Sequence, residues 1–126
     1  MKKTTLTGTV FTGNGEGKKY LTLLWVKHQL QKALGYTPYP GTLNLHLSKE
    51  TAERRKLLET PDATRISPAQ GYSPGILHKA HIAERECAII IPETPTYPQD
   101  YLEIIAADHL RTQLNLKDGD TITVTL

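Results

Sequence analysis

Thr5, Thr7 and Thr9 alternate with Leu6, Gly8 and Val10, the two-residue period of a strand with one buried face. This first strand runs from Thr4 to Thr12. Strict alternation returns at Thr42-Leu43-Asn44-Leu45-His46-Leu47 and again from Thr121 to Leu126. Ile76 to Ile82 and Cys87 to Ile91 read as two further strands, joined as a hairpin by Ala83-Glu84-Arg85-Glu86, and Tyr101 to Ala106 as a buried one. Helical spacing is confined to short stretches. Val26, Leu30, Ala33 and Leu34 share a helix face, and Gly35 stands where a C-cap glycine belongs, so a helix is predicted from about Leu24 to Leu34. Ser48 can cap a short helix through Leu58, and Asp108 another through Leu114. Lys18 to Leu23 reads as extended chain. Tyr36 to Gly41, Pro61 to Gly75 and Pro92 to Pro98 are loops by their proline and glycine content. Lys117-Asp118-Gly119-Asp120 is a tight turn into the last strand.

Six short strands with two or three short helices predict a mainly β protein, a closed or nearly closed barrel with Greek-key-like connections and a few peripheral helices. Strands do not alternate with long helices as a doubly wound fold requires. At 126 residues and 38% hydrophobic, the chain is read as one domain with one core. Its 15 basic and 13 acidic residues leave a net charge of +2 and are scattered, which argues against a dedicated nucleic-acid surface. A lone Cys87 permits no internal disulfide and fits a reducing cytoplasm. The Met1-Lys2-Lys3 start lacks the apolar run of a signal peptide, and Cys87 to Ile91 is too short to span a bilayer. The expectation is a soluble cytoplasmic monomer without membrane or nucleic-acid partners.

Candidate chemistry begins at Gly13-Asn14-Gly15-Glu16-Gly17-Lys18, directly after the first strand. Alternate glycines let backbone N–H groups approach an anion, and phosphate is the usual guest; a plain turn satisfies the same pattern. The loop is no P-loop, since Lys18 is followed by Lys19 rather than Ser or Thr. Thr42 and Asn44 project from one strand face and offer neutral oxygens, either to solvent or to a magnesium ion that also takes phosphate oxygens. His46 shares that face but is a poor magnesium ligand. Asp108-His109-Leu110-Arg111-Thr112 opens a helix where His109 and Arg111 can meet an anion, or is simply a capped turn. Glu103 interrupts an apolar strand and faces either solvent or a ligand cavity. His78 and His81 fall on opposite strand faces, so they make no metal pair. Cys87 reads as core. Tyr36, Tyr39 and Tyr97 lie in the proline-rich loops, where aromatics can pack or stack on a flat ligand.

In order along the chain, these segments resemble the archaeal CTP-dependent riboflavin kinases. The resemblance is carried by Gly13 to Lys18, Leu34-Gly35-Tyr36-Thr37-Pro38-Tyr39-Pro40-Gly41-Thr42-Leu43-Asn44-Leu45, Ile91-Pro92, Thr96-Tyr97, Glu103-Ile104-Ile105-Ala106, Leu110-Arg111 and Asn115 to Asp120. It spans essentially the whole chain, residues 1–126, as a single domain. It implies a six-stranded cradle-loop barrel that transfers the γ-phosphate of CTP to the 5′-hydroxyl of riboflavin, giving FMN and CDP with one magnesium ion. Carried over residue by residue, Gly13, Asn14, Gly15, Glu16, Gly17 and Lys18 would hold the nucleotide together with His109, Leu110, Arg111 and Thr112. Thr42 and Asn44 would hold magnesium, and Thr96 and Glu103 would meet the flavin, with Glu103 as the catalytic carboxylate. Two other classes stay open on the residues alone. One is a flavin- or nucleotide-binding barrel without turnover. The other is a DNA-binding barrel sharing the Leu116 to Asp120 turn.

Overall fold

The computed structural model describes residues 4–61, 63–67, 71 and 73–126. The chain begins with β1 (Thr5–Phe11), followed by α1 (Glu16–Leu21), α2 (Leu24–Leu34), β2 (Leu43–Leu47) and α3 (Lys49–Ala52), which continues as a 3₁₀ turn over Glu53–Leu58. Then come β3 (Thr64–Ile66), β4 (Gly75–Ile82), β5 (Arg85–Pro92), β6 (Tyr101–Ile105), α4 (Leu110–Gln113) and β7 (Thr121–Thr125). All strand pairs are antiparallel. The order β4-β5-β6-β2-β1-β7 closes on itself where His81 of β4 meets Thr125 of β7, and β3 is appended beside the start of β4. β4, β5 and β6 follow one another and β7 returns beside β4, which is the Greek-key order. The six predicted strands are the six barrel strands.

Two hydrophobic clusters, rather than the single core expected, explain the patterns, because the barrel sheet buries side chains on both of its faces. Leu6, Val10, Leu43, Leu45, Ile76, Ile89, Ile91, Leu102, Ile104 and Val124 fill the barrel interior. Leu77, Ala88, Ile90 and Ile105 point the other way and meet Leu21, Val26, Leu30 and Ile66 outside it. Strand β5 is buried on both faces, which is why Cys87 to Ile91 is apolar throughout. Burying those five side chains together is worth on the order of 10 kcal/mol before entropy is subtracted. Helix α2 has the expected bounds, and Gly35 ends it at φ 85°, its N–H bonded to the Gln31 carbonyl.

Several local expectations are corrected. Lys18 to Leu23 is not extended: Lys18 to Leu21 belong to α1, whose N-cap is Gly15 at φ 86°. The cap of α4 is His109 rather than Asp108. The β4–β5 hairpin turns on Ala83 and Glu84 alone, both at positive φ, with Ile82 paired to Arg85. Ser48 does open α3, its hydroxyl bonded to that of Thr51 rather than to a backbone N–H. The loop-like stretch from Pro61 to Gly75 contains β3. The Met1-Lys2-Lys3 start and positions 62, 68–70 and 72 of that stretch lie outside the described residues. Among the described residues no helix is long and apolar enough to cross a membrane.

Candidate active site

The side chains between the core-facing residues of β5, β6, β2 and β1 point out of the barrel. In register they place Ile90 beside Glu103, Glu103 beside Asn44 and Asn44 beside Phe11. This row floors a cleft of about 1210 Å³. The glycine loop and α1 form one wall, and the proline-rich segment carrying Thr94, Thr96, Tyr97 and Pro98 forms another. Glu103, left open between solvent and cavity by its sequence position, faces this cleft.

The floor is hydrogen-bonded across strands. Thr42 Oγ1 lies 3.0 Å from Asn44 Oδ1 and 3.3 Å from Glu103 Oε1, so its single proton is shared between them. Tyr97 donates its hydroxyl to the other carboxylate oxygen, Oε2, at 2.9 Å. Burial raises the Glu103 carboxyl above its ordinary value, and the bonds from Tyr97 and Thr42 work in the opposite direction. The Tyr97 phenol is raised first by its own burial and then by the Glu103 charge, so it stays protonated as a donor.

The glycines fit this floor closely. A Cβ on Gly13 would stand 2.5 Å from Asn44 Nδ2. One on Gly17 would stand 2.7 Å from Thr42 Oγ1 and 3.0 Å from Glu103 Oε1. Gly15 differs: a Cβ there would meet nothing within 4 Å, and its requirement is the left-handed backbone. The Asn14 side chain accepts the Glu16 N–H at 3.1 Å, closing the turn before α1. Lys18 lines the cleft with its neighbours.

Of the turn at His109 to Thr112, Arg111 alone lines this cleft. Its guanidinium donates to Asp118 and, at 3.2 Å, to Thr12 Oγ1, which also bonds the Asp118 carboxylate. These bonds hold the Asp118 carboxyl below its ordinary value. The turn therefore adjoins the start of the glycine loop. Leu110 is buried in the barrel core, and His109 stacks on Tyr39 and bonds Thr112 Oγ1 at 2.8 Å. The structure does not bring these three to the cleft.

Thr96 lines the cleft, its hydroxyl 3.1 Å from that of Thr94. His46 bonds Asp100 at the exposed rim, in edge contact with Tyr101. His78 pairs with Ile89 and His81 with Glu86, and among the described residues no group of three His, Cys, Asp or Glu side chains could hold a metal ion. Burial pushes the Cys87 thiol up to about 12, as a core cysteine requires. Sequence reasoning missed Thr12, Phe11 and Tyr101 as lining residues, and it left Tyr97 between packing and stacking on a flat ligand, without a role as a hydrogen-bond donor. The polar alternation of β1 pointed outward at Phe11, and that was the available signal.

The family model CTP-dep_RFKase, described as "Domain of unknown function DUF120", matches residues 10–126. The chain is 36% identical over 125 residues to a riboflavin kinase of Methanosarcina barkeri, covering 96% of this chain and 56% of that protein. It is 36% identical over 127 residues to a riboflavin kinase of Saccharolobus solfataricus, covering 93% and 70%. A riboflavin kinase of Methanoculleus marisnigri is 38% identical over 126 residues, covering 95% and 56%. The chain thus spans little more than half the length of two of these relatives.

Proposed function

The chain belongs to the CTP-dependent riboflavin kinase family, and from that premise we propose that its cleft transfers the γ-phosphate of CTP to the 5′-hydroxyl of riboflavin. The products are FMN and CDP, and the hydroxyl proton leaves to solvent. One observation carries the reading: a glycine loop packed directly onto a hydroxyl, an amide and a carboxylate that share one cleft floor. Phosphoryl transfer needs in-line positioning and neutralised charge more than covalent help from the protein. Gly13, Asn14, Gly15, Glu16, Gly17 and Lys18 hold the phosphates, with Lys18 and Arg111 supplying positive charge. Leu110 anchors the second nucleotide-side turn, while His109 and Thr112 fix its shape.

Thr42 Oγ1 and Asn44 Oδ1 are hard neutral oxygens on one strand face, so the donor set fits magnesium delivered with the nucleotide. When bound, the ion supplies charge neutralisation on the phosphate oxygens. Thr96 contacts the flavin ring, and Glu103, held by donors at both oxygens, orients the ribityl hydroxyl. Residues 1–126 act as one catalytic domain, a cytoplasmic monomer.

The test is incubation of the full chain with riboflavin, magnesium and either CTP or ATP, with FMN separated by chromatography. FMN formed with CTP supports the reading, and FMN formed only with ATP overturns the donor assignment. Quenching of riboflavin fluorescence without FMN would identify a binding barrel instead.

A further inference from the structure

Arg55 is a buried cation outside the cleft. It lies on the 3₁₀ turn after α3 and is 5% exposed. Desolvating a guanidinium is costly, and an apolar residue of similar volume could fill the space. What the guanidinium adds is a set of contacts to one short segment. Nη1 donates to the Pro98 carbonyl at 2.6 Å and to the Tyr101 carbonyl at 2.8 Å. Its carbon stands 5.4 Å from the centre of the Tyr97 ring. The nearest carboxylate, on Glu59, is 4.0 Å away and partly solvated. Arg55 therefore binds both ends of the turn that leads from the proline-rich wall into β6, and covers the ring of the residue just before it.

That residue is Tyr97, whose hydroxyl bonds Glu103. We propose that Arg55 is a positioning residue for the acceptor side of the cleft: by fixing Tyr97 and the 98–101 turn, it holds the Glu103 carboxylate toward Thr42. The inference rests on the reading that Glu103 serves the riboflavin hydroxyl. It predicts a larger effect on that side than on the nucleotide side, since the hydrogen bonds, ion pair and ring contact of Arg55 go to Pro98, Tyr101, Glu59 and Tyr97 and none to the glycine loop or Arg111. Lysine is a poor replacement: Nη1 alone meets both carbonyls, but an ammonium placed there brings no planar guanidinium to lie over the Tyr97 ring.

The experiment compares Arg55→Lys, Arg55→Met, Tyr97→Phe and the double variant Arg55→Met/Tyr97→Phe in the full chain, each checked for a cooperative melt. Both single changes at Arg55 and Tyr97→Phe should lower kcat/KM for riboflavin roughly ten- to a hundredfold, the range for a misplaced reacting group, with KM for CTP little changed. The double variant should be no worse than the more impaired single one, because both act through one contact. Additive losses, or an equal rise in KM for CTP, would overturn the proposal. A readout independent of turnover is the ring ¹³Cζ resonance of Tyr97, assigned by its loss in Tyr97→Phe. It should shift in folded Arg55→Lys as the hydroxyl leaves the carboxylate; an unchanged resonance would also overturn the proposal. Should the wild-type chain make no FMN, the kinase reading fails, while the resonance still decides whether Arg55 holds Tyr97. Arg55→Lys carries the test if Arg55→Met does not fold.

Discussion

Replacing Gly17 by alanine sets two known effects against each other. Gly17 lies inside α1, where alanine stabilises a helix by about 1 kcal/mol over glycine. The new Cβ would stand 2.7 Å from Thr42 Oγ1, 2.9 Å from Thr42 Cγ2 and 3.0 Å from Glu103 Oε1. Both branches of the threonine are struck, so turning its stiff χ1 gives no relief, and either α1 lifts or the floor shifts. Overpacking of this kind costs about 1–3 kcal/mol. The net destabilisation is then about 0–2 kcal/mol, a melting shift of at most roughly 10 °C for a domain of this size. FMN formation should suffer far more, about a hundredfold, because the displaced atoms are the ones that position the reactants. Gly15→Ala is the control. It has open space around its Cβ but a φ of 86°, so it should cost about 1–2 kcal/mol of stability and, lying in the phosphate loop without touching the floor, lower turnover less than Gly17→Ala does. Thermal melts and FMN chromatography on both variants check the pair. Wild-type turnover in Gly17→Ala, or a larger loss of turnover in Gly15→Ala, would refute the reasoning.

Asn44→Ala should raise the magnesium concentration needed for half-maximal turnover by at least about tenfold, whereas His46→Ala, which loses only a rim contact to Asp100, should leave it unchanged. Matching magnesium titrations for the two variants would mean that this strand face holds no metal. Glu103→Gln keeps a hydrogen-bonding group and should lose less than about tenfold in kcat, while Glu103→Ala leaves Tyr97 and Thr42 facing a gap and should lose much more. Losses of roughly a hundredfold or greater in both would assign Glu103 as a general base instead. Burial raises the Cys87 thiol from 9.0 to about 12, so the folded state binds that proton more tightly than the unfolded chain. The stability it contributes is intact below pH 9 and is lost as pH rises toward 12. Urea melts above pH 9 should therefore fall more steeply for wild type than for Cys87→Ala, and parallel slopes would contradict the assignment.

The strands were legible because a half-buried strand writes its faces into alternate residues, as at Thr5 to Val10 and Leu43 to Leu47. The helix α2 was legible because Val26 and Leu30 mark one face and Gly35 ends it. Helix α1 was not: it has six residues, one of them glycine, and a single buried side chain, Leu21, so no helical period can develop. Strand β3 is three residues long and contributes one buried side chain, Ile66, which is too little for alternation to register. The two-residue turn at Ala83 and Glu84 carries neither glycine nor asparagine, the usual marks of positive φ; its geometry is imposed by the long β4–β5 pairing around it.

The site was legible in its pieces and illegible in its assembly, for a reason that lies in sheet geometry. Spacing placed Thr42 and Asn44 on one face, and an acid in an apolar run singled out Glu103. What joins them is the register between β2 and β6, two strands from distant parts of the chain that Greek-key closure makes neighbours. That register is held by the interior side chains: Leu43 lies beside Ile104 and Leu45 beside Leu102, and all four are buried. A slip of β6 by one residue would bring Leu102 or Ile104 onto the outer face and drive Glu103 into the barrel, exchanging a hydrogen-bonded carboxylate for an uncompensated buried one. The packing of the core therefore fixes the cleft floor, and the polar row Glu103–Asn44 is specified by the apolar residues on either side of it. The same dependence explains why Arg55 escaped notice and why Tyr97 was marked only as a loop aromatic: their partners are 43 and 6 residues away, and only the folded barrel sets them in line with Glu103.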